Sequence, residues 1–199
     1  PVSPGRNVST LIEIALKKRA NALIDNSDYI SESIISISDL VTECIKNSGK
    51  IFFCGNGGSA AESQHMAAEY CATLDHHKPR EGMPALALTT DTSFITAWSN
   101  DFGYDGIFER QLMTLSKEGD LLFAYSTSGN SKNVCKAAKY AIENKIHVIS
   151  MIGGHKKTNL EQFSSIAFKA PSVRTPNIQE IHTIVGHEVC QMVEKNLFN

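Results

Sequence analysis

Residues 50–69, KIFFCGNGGSAAESQHMAAE, predict a strand, a glycine turn and a helix in direct succession. The apolar run 51–54 is too short and too continuous for an amphipathic helix, so it is typical of a buried strand. Gly55, Gly57 and Gly58 allow the chain to turn tightly. Ser59 and Glu62 have the spacing of a capping box, in which each side chain accepts a hydrogen bond from a backbone N–H group at the helix start. The free N–H groups at such a helix start suit a phosphate or a carboxylate.

The glycine turn differs from both common nucleotide-binding motifs. No Lys-Ser/Thr pair follows it, which excludes a Walker loop. Ala60 follows where a complete GxGxxG motif needs a third glycine. A nucleotide is therefore not the expected ligand, and a plain strand-to-helix connection remains the alternative for this turn taken alone.

A second loop of the same kind spans residues 126–131, STSGNS, between an apolar run at 121–125 and an amphipathic helix. Its four hydroxyl groups and its turn amides converge within six residues. Such a loop can hold a phosphate through neutral donors and a helix dipole, without a lysine or an arginine. Taken alone, it is also consistent with a serine-rich surface turn in which Ser131 is an ordinary N-cap. Two strand–loop–helix units together favour a sugar phosphate.

Length and composition indicate one compact domain over residues 1–199, of which 42% are hydrophobic. A net charge of −2 and a pI near 6.4 argue against a nucleic-acid-binding surface. No apolar run approaches the length needed to cross a bilayer, so no membrane association is expected. The five scattered cysteines contain no CxxC pair, which is typical of reduced thiols in a cytoplasmic protein.

Periodicity predicts helices and strands that alternate after two initial helices. The predicted helices span 10–23, 28–45, 93–99, 106–115 and 178–197, with two more after the glycine and serine loops. The predicted strands span 51–54, 85–88, 121–125, 147–152 and 165–169. This alternation predicts an α/β fold, a three-layer sandwich with a parallel sheet and ligands at the carboxyl ends of the strands.

Four motifs carry a family resemblance: CGNGGSAAESQHMAAE, ALTTDTSFITAWSNDFGYDGIFERQ, STSGNSKNV and IQEIHTIVGHEVC. Together they resemble the sugar-isomerase (SIS) domain, and specifically the phosphoheptose isomerases that act on sedoheptulose 7-phosphate. The resemblance covers nearly the whole chain. It implies a flavodoxin-like sandwich, a homotetramer to which the N-terminal helices 8–47 contribute, and a divalent metal, usually zinc, at each active site. It also implies production of D-glycero-D-manno-heptose 7-phosphate in the cytoplasm, for heptose-containing glycoconjugates such as lipopolysaccharide or capsule.

The resemblance also assigns roles to individual residues. The implied metal ligands are His65, Glu69, Gln179 and His187. Glu69 and His187 are also the implied acid/base pair. The implied phosphate contacts are Ser126, Thr127, Ser128 and Ser131. Further implied substrate contacts are Asn56, Gly57, Gly58, Glu69, Asn100, Asp101 and Gln179.

The spacing of the four metal-ligand candidates is only partly consistent with one ion. His65 and Glu69 are four residues apart and share a helix face, although such a pair is often only a surface hydrogen bond. Gln179 and His187 are eight residues apart, which is about 12 Å along a continuous helix. We therefore hypothesise that the helix begins after Gln179, or that these two ligands reach one site from different subunits.

The implied reaction moves a proton between C1 and C2 of a sugar phosphate through an enediol, so it requires a base and an acid. Glu69 is the expected base at carbon. His187 is expected to handle the proton at oxygen, or the second carbon proton. A metal next to the carbonyl and hydroxyl oxygens would stabilise the enediolate.

Two positions depart from the family pattern, because Thr73 and Asn177 stand where arginines are usual. An amide or a hydroxyl does not replace a planar cation. The segment 71–83 also looks longer than usual, and its basic residues His76, His77, Lys78 and Arg80 either supply the missing charge or form a solvated loop. The rival function is that of non-enzymatic SIS proteins that bind a replication initiator, which lack the equivalents of Glu69 and His187.

Overall fold

The computed structural model describes residues 4–198, which form a five-stranded parallel sheet in the order β2-β1-β3-β4-β5. The strands are β1 (Ile51–Cys54), β2 (Ala85–Ala87), β3 (Leu121–Ser126), β4 (His147–Gly153) and β5 (Ile166–Ala170). Every residue of β1 and β3 is buried, because helices cover the sheet on both sides. The predicted α/β class and parallel sheet are confirmed.

The helices divide between the two faces of the sheet. They are α1 (Pro4–Ile24), α2 (Ser27–Lys46), α3 (Gly58–Cys71), α4 (Thr92–Phe102), α5 (Ile107–Leu115), α6 (Lys132–Glu143) and α7 (Thr175–Phe198). On one face, Phe53 stacks on Phe123 at 5.0 Å, in the core formed with α2, α3 and α7. On the other, Phe52 and Leu122 pack with α5 and α6, with α4 side chains against them. Alternate residues of each strand thus supply two cores, which gives the predicted three-layer sandwich.

The strand order places a topological switch point between β1 and β3. From this point the chain leaves β1 for one edge of the sheet and leaves β3 for the other. Doubly wound sheets bind ligands in the crevice at the carboxyl ends of such strands. The glycine loop 55–58 follows β1 and the serine loop 126–131 follows β3, so both border this crevice.

The predicted capping box at the start of α3 is wrong. The N-cap residue is Gly57, whose φ of 55° lies in the left-handed region, and the helix already begins at Gly58. Ser59 therefore lies inside the first turn, and the Glu62 carboxylate accepts a hydrogen bond from Thr183 on α7 instead of returning to its own helix start.

The last helix also begins earlier than predicted. It starts at Thr175 and runs unbroken past both Gln179 and His187. Pro176 in its first turn explains the early start, because proline has a helical φ and lacks only an N–H that the first turn does not use. The hypothesis that the helix begins after Gln179 is therefore wrong.

Helix α1 presents apolar side chains to solvent. Leu11, Ile12, Ile14 and Leu16 are each more than half exposed. Such a stripe is typical of a surface that packs against another chain, which is the role predicted for residues 8–47. Within residues 4–198, no helix combines the length and the apolar character needed to span a membrane.

Candidate functional site

Helices α3 and α7 lie side by side, and successive turns of α3 contact successive turns of α7 in the same order. A Cβ at Gly58 would collide with the side-chain amide of Gln179. One turn further on, Thr183 donates a hydrogen bond to Glu62 at 2.7 Å. Another turn brings the His65 and His187 rings to 4.9 Å between centroids. The two helices therefore run in the same direction, and four of the predicted site residues lie on their facing sides.

Close approach of the two helices depends on a glycine in α7. A Cβ on Gly186 would lie 2.5 Å from the sulfur of Met66 on α3. A larger residue there would separate the helices, and with them His65 and His187. Gly186 directly precedes His187, so its small size helps to bring His187 close to His65.

His65, Glu69 and His187 form a cluster of metal-ligand-type atoms. Nε2 of His65 lies 3.1 Å from Oε1 of Glu69 and 3.2 Å from Nε2 of His187. One ligand atom from each of the three residues falls within 4.8 Å of the others. Two imidazoles and a carboxylate are the ligand set of several catalytic zinc sites. The expected i, i+4 contact between His65 and Glu69 is thus present, with His187 added from a second helix.

Gln179 lies at the other end of the same helix pair. It lines a cleft of about 430 Å³ between the N-terminal halves of α3 and α7, and His65 also lines this cleft. Its amide packs against Gly58, two helical turns before His187. The structure therefore assembles three of the four predicted metal ligands and places the fourth beside the glycine loop.

The glycine loop is held by two residues that the sequence analysis missed. Asn56 and Asn133 exchange two amide hydrogen bonds of 2.9 and 2.8 Å. The hydroxyl of Tyr104 donates a third, of 2.8 Å, to the Asn56 side-chain oxygen. Asn133 occurs within the motif STSGNSKNV and Tyr104 within ALTTDTSFITAWSNDFGYDGIFERQ, but no spacing rule links either residue to Asn56.

Three of the four hydroxyl groups of the serine loop face one another. Ser126 and Ser131 are hydrogen-bonded at 2.9 Å, and Ser128 lies 3.5 Å from Ser126. Ser131 occupies the N-cap position of α6, but its side chain makes no capping bond. This converging arrangement of hydroxyls at a helix start is suited to the oxygens of a phosphate.

The serine loop adjoins the start of α7 through Gly153. The Gly153 N–H donates to the carbonyl of Thr127 at 3.0 Å, and a Cβ on Gly153 would collide with Ile178. Since Ile178 precedes Gln179, the loop that is suited to a phosphate lies next to the helix that carries Gln179 and His187.

Asn100 and Asp101 lie near the C-terminal end of α4, where both are exposed and hydrogen-bonded to each other at 2.8 Å. In the described part of the chain, Tyr104 rather than either of them reaches the glycine loop. Their predicted contact with substrate remains a prediction.

His182 faces the sheet rather than solvent. It is 1% exposed, and Nε2 lies 3.1 Å from the carbonyl oxygen of Ile152. Burial lowers the pKa of its imidazole to about 4, and the hydrogen bond with Ile152 offsets part of this decrease. His182 is therefore neutral near pH 7.

Arg80 neither supplies a free charge nor belongs to a solvated loop. Its side chain is 5% exposed and forms an ion pair with Glu194 of α7 at 2.8 Å. Its guanidinium also donates to the carbonyl oxygens of Glu69, Tyr70, Ala72 and Glu81. Arg80 thus caps the last turn of α3, where carbonyl groups lack helical partners.

Comparison with known proteins finds relatives that match over most of the chain. A family model described as the SIS domain matches residues 16–153. A phosphoheptose isomerase from Clostridium acetobutylicum is 42% identical over 196 residues, which cover 96% of this chain and 97% of the relative.

Two solved structures are similar over nearly the whole chain. The phosphoheptose isomerase of Neisseria gonorrhoeae has a TM-score of 0.86 at 34% identity and covers 94% of this chain and 99% of its own. A phosphoheptose isomerase from Francisella tularensis has a TM-score of 0.88 at 29% identity, with 94% and 98% covered.

Proposed function

Because the chain belongs to the phosphoheptose isomerase family of SIS-domain proteins, we propose that it converts sedoheptulose 7-phosphate to D-glycero-D-manno-heptose 7-phosphate. The observation that carries this proposal is the cluster of His65, Glu69 and His187, beside a cleft that continues to the glycine loop. The cluster supplies acid/base groups, and the two loops supply neutral donors for a phosphorylated sugar.

The residues of the cluster fit a zinc ion. Ligand atoms around a tetrahedral zinc ion lie about 3.4 Å apart, given zinc–nitrogen distances of about 2.1 Å. The observed separations from Nε2 of His65, 3.1 Å to Glu69 and 3.2 Å to His187, are close to this value, and all three ligand atoms lie within 4.8 Å of one another. We propose that these three residues hold the ion and that Gln179 adds an amide oxygen. The bound ion would act as a Lewis acid towards the substrate oxygens.

In the proposed mechanism, Glu69 removes a proton from C1 of the ketose, exchanges this proton with solvent, and delivers a proton to C2. His187 moves a proton between the two sugar oxygens, so that the carbonyl group passes from C2 to C1. The side chain of Glu69 is 22% exposed, which leaves it accessible to a substrate and partly shielded from water. Asn56, Gly57, Gly58, Asn100, Asp101 and Gln179 would orient the sugar chain.

We place the phosphate of the substrate in the serine loop, against Ser126, Thr127, Ser128 and Ser131. Ser128→Ala removes one neutral donor to a dianion, and a hydrogen bond to a charged group contributes about 1.5 to 3 kcal/mol. We expect KM for the sugar phosphate to rise roughly ten- to a hundredfold, measured by steady-state kinetics. Ser36→Ala, an exposed serine of α2, is the matched control. An unchanged KM and kcat/KM for Ser128→Ala would exclude Ser128 as a phosphate contact.

We further propose that the protein is a cytoplasmic homotetramer. The exposed apolar stripe of α1 supports assembly. All five cysteines are free, which is typical of a reducing compartment.

Assembly offers a way for Gln179 to reach the ion held by His187. Helix α7 is unbroken, so the two residues of one chain are about 12 Å apart along its axis. We propose that the two residues reach one ion from different subunits. In oligomers formed from equal amounts of Gln179→Ala and His65→Ala chains, a site is complete only where the intact cluster of the first chain meets Gln179 of the second. About a quarter of the wild-type sites should then be restored. Zinc bound per chain and turnover after co-refolding measure this recovery.

The matched control mixes His65→Ala with Glu69→Gln chains, whose defects fall in one cluster of a single chain. This mixture should not recover. If the Gln179→Ala mixture also fails to recover, while each parent chain still assembles normally, both ligands come from the same chain.

The rival function, binding to a replication initiator without catalysis, predicts no turnover. Glu69 and His187 are the residues that such relatives lack, and here they contact His65 within one cluster. The direct test is turnover of sedoheptulose 7-phosphate before and after chelation, with zinc added back. We expect activity to disappear on complete metal removal and to return with zinc. Full activity in metal-free protein would remove zinc from the proposal.

A further inference from the structure

Glu62 lies behind His65, on the side of the imidazole that faces away from the cluster. Nε2 of His65 faces Glu69 and His187, whereas Nδ1 lies 3.9 Å from Oε2 of Glu62. The Glu62 side chain is only 12% exposed, and the ring of His65 lies between this carboxylate and the other two side chains of the cluster. A carboxylate is thus available to the ring nitrogen that the cluster does not use.

The hydrogen bonding of Glu62 is incomplete. Oε2 accepts from Thr183, but Oε1 is buried and has no hydrogen-bond partner among the described residues. A buried carboxylate oxygen without a donor costs free energy, so a nearby N–H group that turns towards it is stabilising. Nδ1 of His65 is the nearest such nitrogen, although its 3.9 Å distance is to Oε2, the oxygen that Thr183 already occupies. A rotation of the carboxylate or of the imidazole would bring one of the two oxygens within hydrogen-bond distance of Nδ1. The hydroxyl of Tyr125 is also buried and has no hydrogen-bond partner among the described residues, and burial and the charge of nearby Glu62 raise its pKa, so it is the competing donor.

We propose that Glu62 is a positioning residue that accepts a hydrogen bond from Nδ1–H of His65. The proton is thereby held on Nδ1, and the lone pair of Nε2 is directed at the ion. Metal-binding histidines commonly have such a partner, which fixes both the tautomer and the ring orientation. This inference rests on the proposed zinc site.

Thr183 links the Glu62 carboxylate to the second helix, α7. It lies one turn before His187 on α7, and its hydroxyl holds the carboxylate of Glu62. The orientation of His65 on α3 is therefore linked to the helix that carries His187. Glu62 acts through His65 and needs no contact with the substrate.

The test compares zinc affinity and the His65 tautomer in purified, metal-stripped protein at one pH. Glu62→Leu removes the acceptor while filling its volume, and we expect zinc affinity to fall about 10- to 100-fold in competition with a chromophoric chelator. Glu62→Gln retains an acceptor oxygen and should recover part of this loss. Glu180→Gln removes a carboxylate from the same cleft and should leave the affinity unchanged.

Nitrogen-15 NMR of labelled histidine gives a readout that a purely structural role would not change. Wild-type His65 should carry its proton on Nδ1, and Glu62→Leu should shift the neutral ring towards the Nε2–H form. Tyr125→Phe should affect neither property; if it instead reproduced the Glu62→Leu result, the hydroxyl and not His65 would be the relevant partner.

The outcomes separate this inference from the proposed function. Failure of the wild-type protein to bind zinc at the cluster would overturn the zinc site itself. Wild-type binding together with unchanged affinity and tautomer in folded Glu62→Leu protein would overturn only the role of Glu62. Where Glu62→Leu does not fold, the same comparison is made with Glu62→Met, which also lacks an oxygen acceptor. A lower zinc affinity with a shift towards the Nε2–H form then supports the role of Glu62, and unchanged affinity and tautomer overturn it.

Discussion

Glu69→Gln protein is expected to fold normally and to lose 10²- to 10⁴-fold in kcat, the range typical of general acid/base groups. The substitution keeps the shape of the side chain and an oxygen that can still contact a metal. It removes the basic carboxylate that takes the carbon proton. Steady-state turnover of sedoheptulose 7-phosphate measures the loss, and circular dichroism establishes that the fold is retained.

The matched control is Glu188→Gln, which removes an exposed carboxylate next to His187 and should retain wild-type turnover. If Glu69 were only a surface partner of His65, its substitution would change stability by less than about 1 kcal/mol and leave turnover intact. Wild-type kcat in folded, zinc-loaded Glu69→Gln protein would therefore exclude Glu69 as the base and make His187 the next candidate.

The largest expected effect on stability comes from Arg80. Arg80→Met would leave the Glu194 carboxylate, 16% exposed, without its cation and several α3 carbonyl groups without a donor. Breaking a buried ion pair by removing one partner costs about 3–5 kcal/mol. For a chain of this size the loss corresponds to a decrease in Tm on the order of 10 °C, measured by calorimetry.

Lys78→Met is the control, because it removes an exposed cation from the same loop and should change stability by less than about 0.5 kcal/mol. A Tm for Arg80→Met within a degree or two of wild type would mean that solvent or a rearranged loop replaces the guanidinium. The assignment of Arg80 to the cap of α3 would then be wrong.

The architecture was predictable because local patterns and tertiary packing agree along most of the chain. Runs such as 51–54 and 121–125 are continuously apolar, and the structure buries both on two sides. The glycine and serine loops were predictable for a related reason, since polar small residues between a buried strand and a helix fall at the carboxyl edge of a parallel sheet.

The cluster was only partly predictable from residue spacing. His65 and Glu69 share a helix face by their separation alone. His187 meets them because α7 packs beside α3, a contact between residues more than a hundred positions apart in the chain. The family motif supplied this residue, and no rule based on periodicity would have done so.

Two of the wrong predictions share one physical cause, which is tertiary contact overriding a local preference. Glu62 has the spacing of a capping box, yet Thr183 of α7 binds its carboxylate. Arg80 lies in a polar, histidine-rich segment typical of a solvated loop, yet the open carbonyl end of α3 and Glu194 bury it. Neither partner is visible in the sequence around these residues.

The proposed function requires this chain to move a proton between adjacent carbons of a ketose phosphate. The most direct measurement is proton NMR of sedoheptulose 7-phosphate incubated in D₂O with zinc-loaded wild-type protein. We predict that an aldose heptose 7-phosphate appears with solvent deuterium at C2. Metal-stripped protein should form no aldose and should incorporate no deuterium. Wild-type protein that yields no aldose and exchanges no deuterium into the sugar, with zinc bound at the cluster, would contradict the account.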